Sequence, residues 1–226
     1  MKAILLAAGM GTRLRPLTLT TPKSLIVVNG QPLLERQIDY LRVIGVKDIF
    51  VVTGYLSQEF DYLKDQGITL IHNPFYDKYN NIYTMYLVKD LLGDSYVIDA
   101  DAYLHRNFLI NRPQTSLYFS GCKENVKEEW RLHFDDNNKV LDITVESGTH
   151  YIMSGISYWT RQDADIIVKE LNKTIEAGSF TDLYWDDIVK NNLKKLNVYI
   201  CKINNNDWFE IDSLDELHSV QNFITK

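Results

Sequence analysis

The chain has 226 residues, of which 45% are hydrophobic, and a formal net charge of −6. This length and composition suit one substantial domain with a proper core. The negative charge argues against a general nucleic-acid binder, because such proteins present a basic face to phosphates. The apolar run Ala3–Ala8 is shorter than a signal-peptide core of ~7–15 residues or a membrane span of ~20. We therefore expect a cytoplasmic protein with no nucleic-acid and no membrane partner.

Strands and helices are predicted to alternate over the first half of the chain. The run before Gly9 is apolar without alternation, which is typical of a strand buried on both faces of a sheet. Further strands are predicted at 48–53, 69–72 and 96–98. Helices are predicted from Leu33 until Gly45 ends the first one, and then at 57–65 and 82–92. This alternation predicts an α/β fold in which the strand carboxyl ends share one edge of the sheet.

The pattern changes after Pro113. Short strands are predicted at 117–119, 130–134, 140–143 and 151–153, then a helix at 161–177 and returning strands at 198–201 and 208–211. Ser213 and Glu216 form a capping-box pattern for a last helix. We expect a Rossmann-like, mixed and mainly parallel central sheet flanked by helices, with a small antiparallel elaboration. Residues 1–226 then form a single domain, with a core of about 1–112 and 197–226 and an elaboration of about 113–196 that binds the acceptor.

A loop rich in glycine and basic residues follows the first predicted strand. Gly9 and Gly11 allow positive φ and carry no Cβ, so backbone N–H groups can converge on an anion. Arg13 offers a forked donor and Lys23 a point charge, and both suit phosphate oxygens. The loop has Leu14 where a dinucleotide fingerprint needs its third glycine, and it lacks the Gly-Lys-Ser/Thr ending of a Walker loop. The sequence therefore predicts a polyphosphate site of another kind.

The wider motif, L-A-A-G-x-G-x-R-L-x-P-x-T followed by P-K-x-L, resembles the signature of nucleotidyltransferases that join a nucleoside triphosphate to a phosphorylated small molecule. The matching positions are Leu6, Ala7, Ala8, Gly9, Gly11, Arg13, Leu14, Pro16, Thr18, Pro22, Lys23 and Leu25. We assign Arg13 and the backbone around Gly9–Thr12 to the triphosphate, and Lys23 to the reacting phosphates. The acceptor phosphate can then attack the α-phosphorus in line while pyrophosphate leaves.

Two acidic pairs follow predicted strands and are candidates for holding a metal. They are Asp99-Ala100-Asp101 and Glu210-Ile211-Asp212. Magnesium prefers a few carboxylates, several waters and phosphate oxygens. The resemblance implies that Asp101 and Asp212 are the Mg²⁺ ligands, while Asp99 is an alternative ligand or holds a bridging water. Two plainer interpretations stay open: an ordinary turn at the end of a strand for Asp101, and an accessory to a helix cap for Asp212.

Aromatic residues interleaved with carboxylates point to the second substrate. Trp130 lies beside two glutamates, and the segment 180–187 holds three aromatic residues and three aspartates. Aromatic faces and carboxylates suit a quaternary ammonium, which offers no hydrogen-bond donor and is held by cation–π attraction and opposite charge. The alternative is that the segment is a helix with an apolar face and solvated aspartates.

Over nearly its whole length the chain resembles the bacterial CTP:phosphocholine cytidylyltransferases, members of the sugar-phosphate nucleotidyltransferase superfamily. Beyond the first loop, the segments that carry the resemblance are 52–56, 79–84, 96–101, 154–159, 182–186 and 209–212. The resemblance implies a nucleotide-diphospho-sugar transferase fold, CTP and phosphocholine as substrates, CDP-choline as product, Mg²⁺ as cofactor, and later transfer of phosphocholine to surface glycans. The implied nucleotide-binding residues are Leu6, Ala7, Ala8, Gly9, Gly11, Thr12, Arg13, Gly54, Asn80, Asn81, Tyr83 and Asp99. The implied choline-binding residues are Trp130, Gly155, Asp182, Tyr184 and Trp185.

Several alternatives remain at this stage. Asn80 and Asn81 can read the cytosine edge or simply cap a helix. A sugar-1-phosphate nucleotidyltransferase shares the loop, the lysine and the metal pair, although Trp130 and the 182–187 cluster argue against it. A non-catalytic nucleotide-sensing subunit, expected to lose the metal carboxylate or the basic loop residues, and a choline-binding module without catalysis fit less well, because the loop and both carboxylates are present. The sequence does not indicate an oligomeric state.

Overall fold

The computed structural model describes residues 1–225, which are built around one seven-stranded sheet. The strand order is β10-β8-β9-β6-β1-β4-β5. The pairs β6/β1, β1/β4, β4/β5 and β10/β8 are parallel, whereas β9 is antiparallel to both β6 and β8. The strands are β1 Lys2–Ala7, β2 Val27–Val28, β3 Gln31–Pro32, β4 Asp48–Thr53, β5 Thr69–His72, β6 Ser95–Asp99, β7 Ala102–Leu104, β8 Ser116–Phe134, β9 Val140–Trp159, β10 Val198–Ile203 and β11 Trp208–Glu210. The predicted α/β class with a mixed, mainly parallel sheet is confirmed.

Helices cover both faces of this sheet. The α-helices are α1 Leu33–Val43, α2 Asn81–Leu87, α3 Arg161–Glu176, α4 Trp185–Asn192 and α5 Leu214–Ile224. β1 explains the layering, since its side chains alternate between two buried clusters. Ile4 packs into the cluster that contains residues of α2, α3 and α4, whereas Ala3 and Leu5 pack into the cluster that contains residues of α1. A strand buried on both faces needs the unbroken apolar run that the sequence has.

The four short strands predicted between 117 and 153 are parts of two long strands, β8 and β9. Residues 135–138, Asp-Asp-Asn-Asn, form the turn that joins the two strands. Within β8, Asn125 and Glu128 have positive φ, and the register shifts beside them. One end of each strand belongs to the central sheet. The expected elaboration is therefore an extension of the sheet itself, and the sheet contains strands from both predicted parts of the domain.

The helix predictions differ from the structure in type and length. The segment Ser57–Gln66 is a 3-10 helix, and the helix predicted at 82–92 ends at Leu87 and continues as a 3-10 turn over Lys89–Leu91. The predicted start of α3 is confirmed, because the Thr160 side chain accepts a hydrogen bond from the Asp163 amide. The capping box that begins α5 is also confirmed. Among helices within residues 1–225, none is long and apolar enough to cross a bilayer.

Candidate active site

A cavity of about 670 Å³ opens at the carboxyl ends of β1 and β6. This volume lies in the range of ~300–1,000 Å³ that small-molecule sites occupy. The residues that line the cavity are Leu6, Ala8, Gly9, Arg13, Tyr76, Tyr79, Asn80, Asn81, Thr84, Asp99, Asp101, Lys127, Glu128, Glu129, Trp130, Met153, Gly155, Tyr184, Asp186, Glu210 and Asp212. They come from the end of β1 and the first loop, the segment 76–84 that includes the start of α2, the end of β6 and its turn, the β8–β9 hairpin, the start of α4 and the end of β11. The topology thus brings together most of the candidates from all parts of the chain.

The glycine loop is packed against Thr18 and Lys23 at Gly11 and is open to the cavity at Gly9. Gly11 has φ +58°, and a Cβ there would lie 2.9 Å from Lys23 Cβ, so this position requires glycine. Gly11 is held by the Thr18 hydroxyl, which donates to its carbonyl oxygen at 2.8 Å. The positive φ expected at Gly9 is not found. Gly9 instead faces the cavity, and a Cβ at this position would meet no atom within 4 Å, which leaves room for a ligand to approach its backbone.

Lys23 lies between the two predicted metal carboxylates. Its Nζ donates to Asp101 Oδ2 at 2.7 Å and also to Asp212 Oδ1. Burial alone would lower the pKa of Lys23, but the charges of Asp101 and Asp212 outweigh it and raise that pKa above its ordinary value. Arg13 contacts the same cluster, with Nη2 at 2.6 Å from Asp212 Oδ2, although 72% of its side chain is exposed. Lys23 is therefore a fixed cation, and Arg13 is a cation that solvent reaches.

Glu210 is a third carboxylate beside this pair. Ligand oxygens of Asp101, Glu210 and Asp212 lie within 4.8 Å of one another. Although Glu210 is exposed to solvent on one side, desolvation in the cleft, followed by repulsion from Asp101 and Asp212, raises its pKa to about 8. Hard carboxylate oxygens crowded at this distance are the donor set that Mg²⁺ prefers, so the residues present fit the predicted metal. Of this pair only Asp212 is predicted from the sequence to bind the metal, yet positions 210 and 212 face the same way in an extended chain.

The Asp212 side chain is turned towards the basic residues and does not cap a helix. The cap of α5 is made by Ser213 and Glu216, and Glu216 Oε2 also accepts from the Asp212 amide at 2.8 Å. The Asp212 carboxylate therefore does not act as an accessory to the helix cap.

Asp99 lies deeper in the cavity, against Gly155. Gly155 has φ +73°, and a Cβ there would lie 2.9 Å from Asp99 Oδ2. Burial, reinforced by the charges of Asp101 and Asp186, raises the pKa of Asp99 well above its ordinary value. Gly155 therefore contributes space for the Asp99 carboxylate and lines the cavity with its backbone.

Asn80 and Asn81 connect the start of α2 to the segment that leads into α4. Asn80 Nδ2 donates to the Asp182 carbonyl at 3.0 Å, and Asn81 Oδ1 accepts from the Trp185 amide at 3.0 Å. Asn80 is the residue before α2, but its side chain makes no capping hydrogen bond. The plain helix-cap alternative is therefore not observed for Asn80, whereas Asn81 accepts from the first amide of α4. Both residues line the cavity.

The aromatic cluster is divided between the cavity and the core. Tyr184 is 46% exposed, and its ring lies edge to face with Trp130, with 6.0 Å between the centroids. Trp185 is only 3% exposed and packs against Trp159 in the core. Asp182 is exposed and does not line the cavity. The prediction that Trp185 and Asp182 contact the acceptor thus disagrees with their positions, because α4 begins at Trp185 and turns that side chain inwards.

Asp186 is the buried carboxylate at the aromatic end of the cavity, and sequence reasoning did not select it. Its Oδ1 accepts from the Tyr118 hydroxyl at 2.8 Å. Burial raises the pKa of Asp186 to about 7, while the Tyr118 hydrogen bond acts in the opposite direction and the nearby Asp187 adds repulsion. The sequence contained only the triplet of aspartates in 180–187, and the helix phase that selects Asp186 becomes visible only in the structure.

Some of the predicted nucleotide-binding residues lie outside the cavity lining. They are Ala7, Gly11, Thr12, Gly54 and Tyr83, none of which lines the cavity. Gly54 is required for close packing, because a Cβ there would lie 2.7 Å from the Ala8 carbonyl oxygen. Tyr83 packs edge to face against Phe75. Lining residues that sequence reasoning missed include Tyr76, Tyr79 and Glu129, which lie in segments without a regular pattern.

Comparison with known proteins agrees with this geometry. A family model for the MobA-like NTP transferase domain matches residues 3–84. The choline-phosphate cytidylyltransferase of Streptococcus pneumoniae is 47% identical over 225 residues, covering 99% of this chain and 98% of that protein. The protein of the same name from Haemophilus influenzae is 40% identical over 229 residues, covering 100% and 98%. The solved structure of the CTP:phosphocholine cytidylyltransferase from Streptococcus pneumoniae matches with a TM-score of 0.97 at 47% identity, covering 99% of this chain and 98% of that one. The chain therefore belongs to the choline-phosphate cytidylyltransferase family.

Proposed function

We propose that this enzyme joins CTP and phosphocholine to give CDP-choline and pyrophosphate. The observation that carries the proposal is one cavity with two different ends. Gly9, Arg13 and the carboxylates lie at one end, and Trp130, Tyr184 and Asp186 lie at the other. Lys23 does not itself line the cavity, but its Nζ donates to Asp101, which does. A nucleotidyltransferase for a small cationic acceptor needs both ends within reach of one α-phosphorus.

At the phosphate end, the chain's own residues bind and align the triphosphate. The open backbone at Gly9 and the exposed guanidinium of Arg13 receive the phosphate oxygens. Lys23 is held by two carboxylates, so its ammonium has a fixed place beside the reacting phosphates. In-line attack by the acceptor phosphate requires no covalent intermediate, and positioning with charge neutralisation supplies the catalysis.

The proposal includes a bound Mg²⁺ ion. Asp101 and Asp212 would hold Mg²⁺, with Glu210 as a third carboxylate, because their oxygens already converge. When bound, Mg²⁺ neutralises charge on the phosphates around the α-phosphorus. Asp99, whose carboxyl group lies behind Asp101 and against Gly155, would hold a water or a ribose hydroxyl.

At the acceptor end, Trp130 and Tyr184 supply aromatic faces and Asp186 supplies negative charge. A quaternary ammonium offers no N–H donor, so it gains from cation–π attraction and charge without needing a shaped set of acceptors. A sugar, in contrast, would need hydrogen-bond partners for its hydroxyl groups on several sides. This difference favours phosphocholine over a hexose 1-phosphate. We further propose that the reaction takes place in the cytoplasm and that CDP-choline serves phosphocholine transfer to surface glycans.

One assay tests the proposal. The protein is incubated with Mg²⁺, each nucleoside triphosphate in turn, and phosphocholine, phosphoethanolamine or a hexose 1-phosphate, and pyrophosphate release is followed. We expect turnover with CTP and phosphocholine, and much slower turnover with the other pairs. Exclusive turnover with a hexose 1-phosphate would make the protein a sugar nucleotidyltransferase. Nucleotide binding without any turnover would indicate a sensing subunit.

A further inference from the structure

Gln37 is a polar side chain in the core beneath the carboxylate cluster. It lies on α1 and is 0% exposed. Its Nε2 donates to the carbonyl oxygens of Asp99, at 3.1 Å, and Ala102, at 2.7 Å. Its Oε1 has no hydrogen-bond partner within residues 1–225. The buried Gln37 side-chain amide therefore donates both of its hydrogens to one backbone segment, residues 99–102.

That segment is the turn that carries Asp101. Asp99 ends β6 and Ala102 begins β7, so the two carbonyls bracket Ala100 and Asp101. A further backbone contact of the turn is at Ala100, whose amide donates to the Leu6 carbonyl at 3.1 Å. Gln37 holds both flanks of the turn from one side and β1 holds its centre from the other. The direction in which the Asp101 carboxylate leaves the backbone is set by these contacts.

The unsatisfied Oε1 indicates that core packing alone does not explain this glutamine. A buried acceptor without a partner costs about 1–3 kcal/mol, whereas an apolar side chain of similar size would avoid that cost. The neighbouring core positions of α1, Leu34, Ile38 and Leu41, are apolar. Gln37 departs from this pattern at the helix position that faces the turn.

The same helix also anchors the other half of the cluster. At the start of α1, the Leu33 amide donates to the Ile26 carbonyl at 3.1 Å, directly after the 3-10 helix Lys23–Leu25. The distance between Lys23 and Asp101 is thus fixed through one rigid element that is tied to both segments. Small shifts at such a site are costly, because metal ligands and reacting groups must keep their geometry.

We propose that Gln37 is a positioning residue that fixes the Asp101 turn, so that Asp101 meets both Lys23 and the metal in the correct orientation. The inference rests on the proposed function of this cluster. Gln37 contacts neither substrate, since it is buried behind the backbone of the turn, and it acts only through Asp101.

The test compares Gln37→Met and Gln37→Glu with the wild-type enzyme. Methionine keeps the length of the side chain without its donors. Glutamate keeps the shape, but its carboxyl oxygens oppose the two carbonyls. The control is Ser95→Ala at the opposite end of β6, which removes a buried acceptor of the Gly93 amide without touching the turn. The measurements are Mn²⁺ binding to the ligand-free protein by electron paramagnetic resonance, the Mg²⁺ concentration for half-maximal pyrophosphate release, the KM for phosphocholine, and Tm.

We expect both Gln37 variants to weaken Mn²⁺ binding by about tenfold or more and to raise the half-saturating Mg²⁺ concentration similarly, with the KM for phosphocholine unchanged. Ser95→Ala should lower Tm and leave metal binding at the wild-type level. Wild-type Mn²⁺ affinity in the Gln37 variants, with only Tm lowered, would overturn the inference. Failure of the proposed function would look different: the wild-type protein would bind Mn²⁺ but release no pyrophosphate from CTP and phosphocholine.

Discussion

The two ends of the cavity handle charge in different ways. At the phosphate end, Lys23 and Arg13 are already paired with Asp101 and Asp212. At the acceptor end, Asp186 is buried without an ion pair among residues 1–225, and its partner is the neutral hydroxyl of Tyr118. The first end is neutralised within the protein and acts by geometry. The second combines a carboxylate that has no ion pair among these residues with the rings of Trp130 and Tyr184, and Lys190 Nζ lies 5.7 Å from the centroid of the Trp130 ring. Alignment and acceptor choice are therefore separable by mutation.

The largest effect is expected at the phosphate end. Lys23→Ala should lower kcat by ~10²–10³-fold, because a fixed donor at the reacting phosphates is lost. The measurement is steady-state pyrophosphate release at saturating CTP and phosphocholine. Lys2→Ala is the matched control, since that ammonium also donates within the protein, to the Leu91 carbonyl, far from the cavity. A near-normal kcat in Lys23→Ala would show that Lys23 has no catalytic role.

The next effect is expected at the acceptor end. Asp186→Asn should raise the KM for phosphocholine roughly 30-fold, because an opposite charge beside the ammonium is removed in a region of reduced dielectric. The KM for CTP should change little. Initial rates with each substrate varied at saturating amounts of the other measure both constants. Equal increases in the two KM values would mean that Asp186 maintains the cavity as a whole and does not select the acceptor.

The pH dependence of kcat/KM for phosphocholine tests whether the charge of Asp186 contributes to acceptor binding. With its pKa raised to about 7, Asp186 is protonated and neutral at pH 6 and mostly ionised at pH 8. The kcat/KM for phosphocholine should therefore fall by about tenfold from pH 8 to pH 6. Asp186→Asn is the control, because any pH dependence left in that variant belongs to the substrate or to other groups. A wild-type profile that matches the variant's profile would exclude Asp186 as the titrating group.

The smallest effect separates two adjacent aromatic residues. Tyr184→Ala should raise the KM for phosphocholine by about 3–10-fold through the lost cation–π contact, with little change in stability. Trp185→Ala should lower the free energy of unfolding by ~3–5 kcal/mol, because a buried indole leaves a cavity. Urea unfolding and initial rates on both variants give the comparison. Tyr184→Ala would be a packing mutation if it raised the KM for CTP by the same factor.

The parts of the site that could be predicted are those encoded by local sequence. The strand and glycine loop before Arg13 form one contiguous unit, and the acidic pairs follow strands whose carboxyl ends share an edge. The division of Tyr184 from Trp185 depends on the residue at which α4 begins, and a shift of one residue exchanges the cavity for the core. The selection of Asp186 over Asp182 depends on the same helix phase.

The long hairpin of β8 and β9 could not be predicted from the sequence, for a different reason. Asn125 and Glu128 adopt positive φ inside β8, so the strand pattern is interrupted between the predicted segments 117–119 and 130–134 although the strand itself continues. Only the pairing with β9 makes the strand continuous, and long-range pairing leaves little trace in a single sequence. The hairpin supplies Trp130, which the sequence indicated, and also Glu129, which lies outside the predicted strand and was not selected.

The hydrogen bonds that Asn80 donates to Asp182 and Asn81 accepts from Trp185 have a thermodynamic consequence. The loop that carries Asn80 and the loop that carries Tyr184 are joined by these bonds, so order that a ligand imposes on one is shared by the other. A substrate that rigidifies both loops lowers the entropic cost for the second substrate, which is a positive coupling free energy. By reciprocity, CTP should tighten phosphocholine binding by the same factor by which phosphocholine tightens CTP binding.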